Sequence, residues 1–394
     1  MERADNPPGL AGQSSAELLI VGGGIMGLWA AVHAERLGVE ALLVDAGRLG
    51  QGASGGLLGA LMPHMPDKWS EKKQFQFDAL VSLEDEIAEL EAVTGLSAGY
   101  RRSGRLMPLP KPHLRKIAFG HSQDAEAHWY HGERRFHWNV LDAAPVEGWI
   151  DPAAGESGFV FDTLAARVAP RAFLRVLAGF AGKAKHVRLA EGLEIESIDP
   201  DRGTATTREG IINFRRCILS AGHRSFPVLD GLTPGRHSPL GQAVKGQAAL
   251  LKADVDAGLP VIFRDGLYIV PHEGGLVAVG STSENRFDDP MSTDHQLDDL
   301  LTAARMMAPA LADAEVVERW AGLRPKAIDR DPMVGAHPDH SRLIALTGGF
   351  KVSFGLAHRL AEAAVREAME IPCSFKLPEG FALSHHIMVA SHKT

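Results

Sequence analysis

The heptapeptide "VGGGIMG", residues 21–27, constrains this chain more than any other stretch, because Gly22, Gly24 and Gly27 fall at GxGxxG spacing. It follows the apolar run "ELLIV" and precedes the helical pattern "LWAAVHAERLG", after which "EALLVDA" reads as a second buried strand. A strand, a helix and a strand in about thirty residues predict a right-handed crossover in a parallel sheet. Each glycine has its own task there. Gly22 permits the tight turn, Gly24 lets a pyrophosphate reach the backbone, and Gly27 lets the helix pack on the strand. Asp45 ends the second strand, 18 residues after Gly27, where a carboxylate accepts hydrogen bonds from ribose hydroxyls. The same acid repels a 2′-phosphate, which disfavours NADP. The unit reads as a dinucleotide site.

At 394 residues the chain is too long for one simple core and suits two intertwined domains. Hydrophobic content of 45% and charged content of 23% match soluble globular proteins. A net charge of −8 lacks the basic footprint that a nucleic-acid partner requires. Cys217 and Cys373 supply neither a disulfide framework nor a CxxC site, and Cys217 reads as a buried small hydrophobe. No stretch has the apolar length of a membrane span, and "MERADNPPGLAGQSS" reads as a loose tail without a signal-peptide core. A reducing cytoplasm is the expected compartment. A homo-oligomer stays open.

Further along, "SEKKQFQFDALVSLEDEIAELEAVTG" predicts a long amphipathic helix closed by Gly95. "APRAFLRVLAGFAGKA" predicts another helix, followed by strands in "GLEIESID", "TATTREG" and "RRCILSAG". Alternation in "GLYIVPHEGGLVAVGST" predicts antiparallel strands. "LIALTGGF" reads as a buried strand and "LAHRLAEAAVREAM" as a closing helix. Residues 97–160 mix aromatics and charges without a strand pattern that can be parsed. The dinucleotide-type segments are thus 16–96, 161–228 and 321–375, with a second domain from 97–160 and 229–320 and a C-terminal tail over 376–394.

Several residues outside the glycine turn can carry chemistry. In "GQGASGGLLGALMPH", Ser54 with Gly52, Gly55 and Gly56 can offer hydroxyl and backbone donors to a phosphate or a ring edge. His64 at its end suits a satisfied polar group better than a base. In "RWAGLRPKAIDRDPMVG", Arg324 can grip a carboxylate with two parallel hydrogen bonds, or equally pair with Asp329 or Asp331. Tyr268 either aims its phenol at the same anion or serves as a core aromatic. "GGFKVSFG", residues 348–355, sets Lys351 among glycines and apolar side chains. His121, His128, His131 and His137 lack zinc-site spacing and suit a charged surface, and no metal is expected. Met306 and Met307 read as core filler.

With "VGGGIMGLWAAVHAERLG", "GASGGLLGA", "ILSAGH", "LYIVPHEGGLVAVGST", "WAGLRPKAIDRDPMVG" and "TGGFKVSFGLAH" in this order, the chain resembles the flavin-dependent D-amino acid oxidase family, above all its glycine oxidase and sarcosine oxidase branches. The resemblance implies an α/β fold with an α+β second domain: a split Rossmann-like FAD-binding domain and a substrate domain built on a mixed, largely antiparallel sheet. It places FAD contacts on Gly22, Gly24, Ile25, Met26, Gly27, Asp45, Ala46, Ser54, Gly55, Gly56, Ile195, Ala221, Gly222, Gly322, Arg324, Gly348, Gly349, Phe350 and Lys351. It makes Arg324, Lys351 and Tyr268 the groups that meet the substrate. Glycine oxidases resemble one another in an arginine where this chain has Lys351, and the "GFK" triplet is more similar to sarcosine oxidases. Those enzymes also carry a lysine over the flavin that assists reaction with oxygen, and "GGLVAVGST" has none. No cysteine stands where they link FAD, so noncovalent FAD is expected. The implied activity is oxidation of the C–N bond of a small amino or N-alkyl amino acid, with O2 as acceptor. The alternatives are a dehydrogenase subunit serving a protein or quinone, a tRNA-uridine oxidase domain that the acidic charge opposes, and a non-catalytic flavin-bound partner.

Overall fold

The computed structural model describes residues 12–392, so residues 1–11 of the expected N-terminal tail lie outside the described residues. The described chain divides into two compact units, the first taking residues up to Ser54, Leu174–Ala243 and those from Arg324, the second Gly55–Phe173 and Val244–Leu323.

The first unit is built on parallel strands in the order Val187–Glu191, Ala41–Asp45, Gly12–Val21, Gly210–Leu219, Leu343–Thr347. Leu19, Leu42, Leu43, Cys217 and the whole run Leu343–Thr347 are buried, the continuous apolar pattern of strands covered on both faces. Burial also pushes the Cys217 thiol far up, so it stays an inert hydrophobe. Helix Ile25–Leu37, closed by Gly38 at φ 68°, packs against helix Ser353–Ala368. Trp29 of the first is wholly buried, and its ring lies 5.7 Å from that of His358 on the second.

Three expectations change here. The first strand begins at Gly12, not at "ELLIV": Ser14 and Ser15 pair with Ile212 and Asn213, because the ten-residue strand Gly210–Leu219 offers a ladder that long. In "GLEIESID" only Ser197–Asp199 is strand. Leu193 and Ile195 turn into the core instead, with the Leu193 N–H on the Asp45 carbonyl at 2.9 Å. The segment expected as a C-terminal tail carries helix Leu383–His392, whose Leu383, His386 and Ala390 are buried.

A second sheet, most of whose residues belong to the second unit, has its described strands in the order Glu315–Ala327, Gly241–Lys252, Leu276–Gly280, Leu267–His272, Val261–Arg264, Arg105–Pro108, Phe159–Asp162, Trp138–Leu141. Neighbours are antiparallel wherever the register is defined, save the parallel pair Val261–Arg264 and Arg105–Pro108. Region 97–160 supplies two of these strands, the start of a third and helix Pro112–His128. The strands alternate cleanly. Leu106, Ile262, Ile269, Val277 and Val279 face helix His295–Met307, while Val261, Val270, Ala278 and Ala248 pack on Leu57 at the opposite face. Helix Glu71–Thr94, closed by Gly95 as its sequence predicts and capped at its start by Ser70, lies within this unit by its contacts, whereas reading the segments from the sequence keeps it with the first. Met307 fills core at 8% exposure, but Met306 is 74% exposed, because adjacent helical residues point about 100° apart. The expected histidine surface is only partly one: His131 and His137 are exposed, while His128 stacks on Trp69 and His121 meets Trp138 edge-on.

Two buried histidines give the fold a pH dependence. Burial, then Arg36, lowers His33 from 6.5 to about 3, and burial, then Arg167, lowers His272 to about 4. Both stay neutral when folded, so below 6.5 the unfolded chain binds more protons and stability falls with pH. The thermal midpoint is expected to drop steadily between pH 7 and pH 4.5 in a differential-scanning titration, roughly across the gap between free and buried histidine. A flat profile would contradict the neutral assignment.

Candidate active site

At the C-terminal edge of the parallel sheet, Gly22 takes φ 105° and its amide donates to Val44 O at 2.8 Å. A Cβ on Gly27 would lie 1.8 Å from Gly22 O, so the turn and the helix interlock only with glycine there. Ser220, which the sequence reading passed over inside "ILSAG", locks the turn from the next strand: its hydroxyl is within 3.0 Å of Val21 O and 2.9 Å of Gly22 O. Nothing local could have revealed it, since Ser220 and Gly22 lie 198 residues apart.

Gly24 caps helix Ile25–Leu37, and the first turn carries no acid, which leaves the positive end of the helix dipole to an anion. Ser54 is anchored beside it. Its Oγ accepts the Ile25 N–H at 3.0 Å, which leaves its own O–H to donate. Asp45 is fixed by two backbone donors, Gly23 N–H at 2.7 Å and Gly47 N–H at 2.8 Å, with lone pairs still available at a half-buried position. Ala46 beside it is exposed, Ile25 and Met26 are buried, and Ile195 is partly buried against the core. Ala221 and Gly222 follow the Gly210–Leu219 strand, where Thr347 Oγ1 donates to Gly222 O at 2.8 Å. An approachable glycine backbone, an acid-free helix start and a fixed carboxylate fit the pyrophosphate and ribose of a dinucleotide.

The loop 348–351 is tied to the strand end that carries Arg324. The Phe350 N–H donates to Pro325 O at 3.1 Å, and Gly349 bridges to Lys326. Gly348 is required by φ 76°, and Gly349 by close packing, since a Cβ there would meet Ser353 Oγ at 2.4 Å and Met26 Cε at 2.7 Å. The structure therefore brings Arg324 and Lys351 to one loop cluster. Lys351 is exposed overall, with its ammonium 5.5 Å from the Phe350 ring centre. Partial desolvation of that head, then the charges of Arg324 and Arg330, hold it below the ordinary lysine value. Arg330 is a third cation that the sequence reading missed. Of the two acids offered as structural partners for Arg324, Asp329 pairs with His385 at 3.2 Å.

The other expected site residues lie in the second unit. Tyr268 is half-buried, its ring 4.7 Å from that of Phe263. Gly55 O accepts from Arg171 at 2.8 Å, Gly56 is half-buried, and Gly322 is buried, where a Cβ would meet the Trp320 ring. His64 is exposed and its N–H donates to Gln76 at 2.7 Å. Among the described residues no three His, Cys, Asp or Glu side chains could hold a metal ion, and no helix is long and apolar enough to cross a membrane.

Fold and turn together define a dinucleotide-binding protein of the Rossmann-like type. The chain belongs to the DAO family of FAD dependent oxidoreductases, whose pattern it matches over residues 17–363. It is thus an enzyme with FAD as its cofactor. It is 28% identical to glycine oxidase of Pseudomonas putida over 353 residues, 87% of this chain and 92% of that protein. It is 24% identical to glycine oxidase of Bacillus licheniformis over 373 residues, 93% of this chain and 96% of that protein. The crystal structure of glycine oxidase from Geobacillus kaustophilus has the same fold, with a TM-score of 0.83 at 22% identity over 94% of this chain and 98% of that one.

Proposed function

We propose that the enzyme oxidises the C–N bond of a small amino or N-alkyl amino acid, and that Arg324 and Lys351 hold the substrate carboxylate. The observation that carries this reading is the tie between the Lys351 loop and the strand end of Arg324, made by the Phe350 N–H on Pro325 O at 3.1 Å and the bridge from Gly349 to Lys326. Three like charges gathered at one loop are stabilised by an anion between them. The relatives named glycine oxidase supply the amino-acid class.

Bound noncovalently, FAD would supply a two-electron acceptor for the Cα–H hydride. The first unit would hold it through Gly22, Gly24, Gly27, Asp45 and Ser54, with Ile25, Met26, Ala46, Ile195, Ala221, Gly222 and the 348–351 loop around it. Gly55, Gly56, Gly322 and Tyr268 of the second unit are proposed as further contacts, Tyr268 to the substrate. Arg324 fixes the carboxylate with its fork and Lys351 adds a point charge. A neutral substrate amine pushes the hydride out without a protein base, and the imine that remains takes up water to give an oxo acid and free amine. O2 is the proposed acceptor. The all-apolar strand Leu276–Gly280 favours a second reading in which a protein or quinone takes the electrons, and mixing reduced enzyme with air in a stopped-flow instrument separates the two.

Lys351→Met keeps the stem and removes the charge. It is expected to purify with full FAD while anaerobic flavin bleaching by the best amino acid slows by more than about tenfold, or 1.4 kcal/mol. Bleaching at the parental rate would take Lys351 out of the site. Failure of every amino acid and N-alkyl amino acid to bleach the flavin would overturn the reading as a whole.

A further inference from the structure

Within the first unit, the C-terminal helix Leu383–His392 has anchors of its own. Leu383 and Ala390 pack into the core with Leu229, Leu240 and Met333. Ala390 O accepts the His237 and Ser238 N–H at 3.0 and 3.1 Å. From this platform two consecutive histidines reach the segment that follows the strand end of Arg324. His385 Nε2 lies 3.2 Å from Asp329 Oδ2, and His386 Nε2 lies 3.1 Å from Pro332 O. A carbonyl only accepts, so Nε2 of His386 carries the proton and Nδ1 keeps a bare lone pair. That Nδ1 is buried with no partner among the described residues, in a residue that is 0% exposed. Burial holds the ring below the ordinary histidine pKa, so it stays neutral. A leucine would fill such a place without stranding a polar atom, so packing alone does not account for the histidine.

Between the two held residues sits Arg330. Its φ of 66° is left-handed, a conformation that a residue with a Cβ adopts only at a cost. Its N–H closes a turn on Ala327 O at 2.9 Å. Backbone kept in such a region by its surroundings marks a point where position matters. The same segment backs the Lys351 loop. A Cβ on Gly348 would lie 3.0 Å from Ala327 Cβ and 3.2 Å from both Asp331 O and Met333 N. Any shift of the turn is therefore passed to Gly348, three residues before Lys351. Partial desolvation, then the charges of Arg324 and Arg330, lower the Lys351 pKa, which agrees with all three cations standing together.

We infer that His385 and His386 are positioning residues of the carboxylate site: they fix the turn of Arg330, and through Gly348 the loop of Lys351, where both cations meet the substrate anion. The inference rests on the carboxylate role given above to Arg324 and Lys351. His386 carries the larger share, because its partner is main chain and its bond is buried, whereas His385 and Asp329 are half-buried.

The test follows glycolate binding to the FAD-loaded enzyme through the flavin spectrum. His386→Leu keeps the bulk and removes the N–H on Pro332 O, and it is expected to weaken glycolate by about fivefold or more at full flavin content. His386→Gln can restore a donor to the same carbonyl and should bind within about twofold of the parent. A cycle then separates positioning from general stability. Arg330→Gly removes one cation while suiting the left-handed turn, and Lys351→Met removes the other. In that double variant Arg324 still holds glycolate, and adding His386→Leu should change its affinity by less than about twofold. If His386→Leu does not retain FAD, His385→Ala carries the same cycle from its half-buried position, with an expected loss of about twofold to fivefold. Parental glycolate binding in the folded histidine variant, or a loss that persists undiminished without Arg330 and Lys351, would reduce the histidines to packing. Glycolate binding that ignores Lys351→Met itself would instead overturn the carboxylate reading, and this inference with it.

Discussion

Gly24→Val is expected to purify colourless yet folded. The backbone at Gly24, φ −76° and ψ −172°, is open to any L-residue, and among the described residues a Cβ would meet only the Ser54 hydroxyl at 3.2 Å. The branched side chain would then fill the space in front of the Ile25–Leu37 helix that a pyrophosphate must enter. Gly27 is a control of the opposite kind, because a Cβ 1.8 Å from Gly22 O leaves the turn no room to close. Gly27→Ala is therefore expected to lose the fold itself, and Gly24→Val only the cofactor. Thermal melts with and without added FAD separate these outcomes. Ligand binding stabilises the parent by RT ln(1 + [L]/Kd), about 2.7 kcal/mol at a hundredfold excess over Kd. Gly24→Val should show none of that shift while melting near the parental apo protein. A yellow variant with the parental midpoint would reduce the motif to a turn.

The difference between these two glycines shows what the sequence could convey. Their order along one strand–turn–helix is local, so the dinucleotide turn and the Asp45 carboxylate were legible from spacing alone. Ser220, which bonds the same turn, reaches it only because Val21 and Leu219 end level in a parallel register. No pattern near residue 220 encodes that. Arg324 and Lys351 were named through resemblance, and the fold brings them to one loop cluster. Arg330 was not, because its proximity depends on the loop after the strand Glu315–Ala327 folding back on residues 348–351. The buried ion pair of Arg105 with Asp162 was further from reach. Four-residue strands such as "RLMP", "FVFD" and "WNVL" are too short for alternation to stand out, and the row Trp138, Asp162, Arg105 exists only across their register. The C-terminal helix was missed for a related reason: ten residues with three histidines have little amphipathic pattern until Leu383 and Ala390 find the core.

Arg324→Ala is expected to cut the rate of flavin reduction at low substrate by roughly thirtyfold to several thousandfold, the equivalent of about 2–5 kcal/mol for a lost charged hydrogen-bonding partner. The loss should appear mainly in the apparent substrate dissociation constant, because the guanidinium holds a carboxylate that carries its charge before and after hydride departure. A structural role would show up elsewhere, in flavin content or thermal midpoint, and neither should move much at a half-buried position. The variant also carries a second signature. Arg324 is one of the charges that lower the Lys351 pKa, so removing it raises that pKa toward the ordinary lysine value. Glycolate, which has the carboxylate but no amine to titrate, reports this through perturbation of the bound-flavin spectrum. In the parent, glycolate binding should weaken as pH rises through the lowered Lys351 value, because the ammonium is then lost. In Arg324→Ala the binding is weaker throughout, but its alkaline fall should begin at higher pH, and in Lys351→Met it should vanish. An alkaline limb that stays in place when Arg324 is removed would mean that the two cations do not share one anion, and Arg324 would return to a structural pairing.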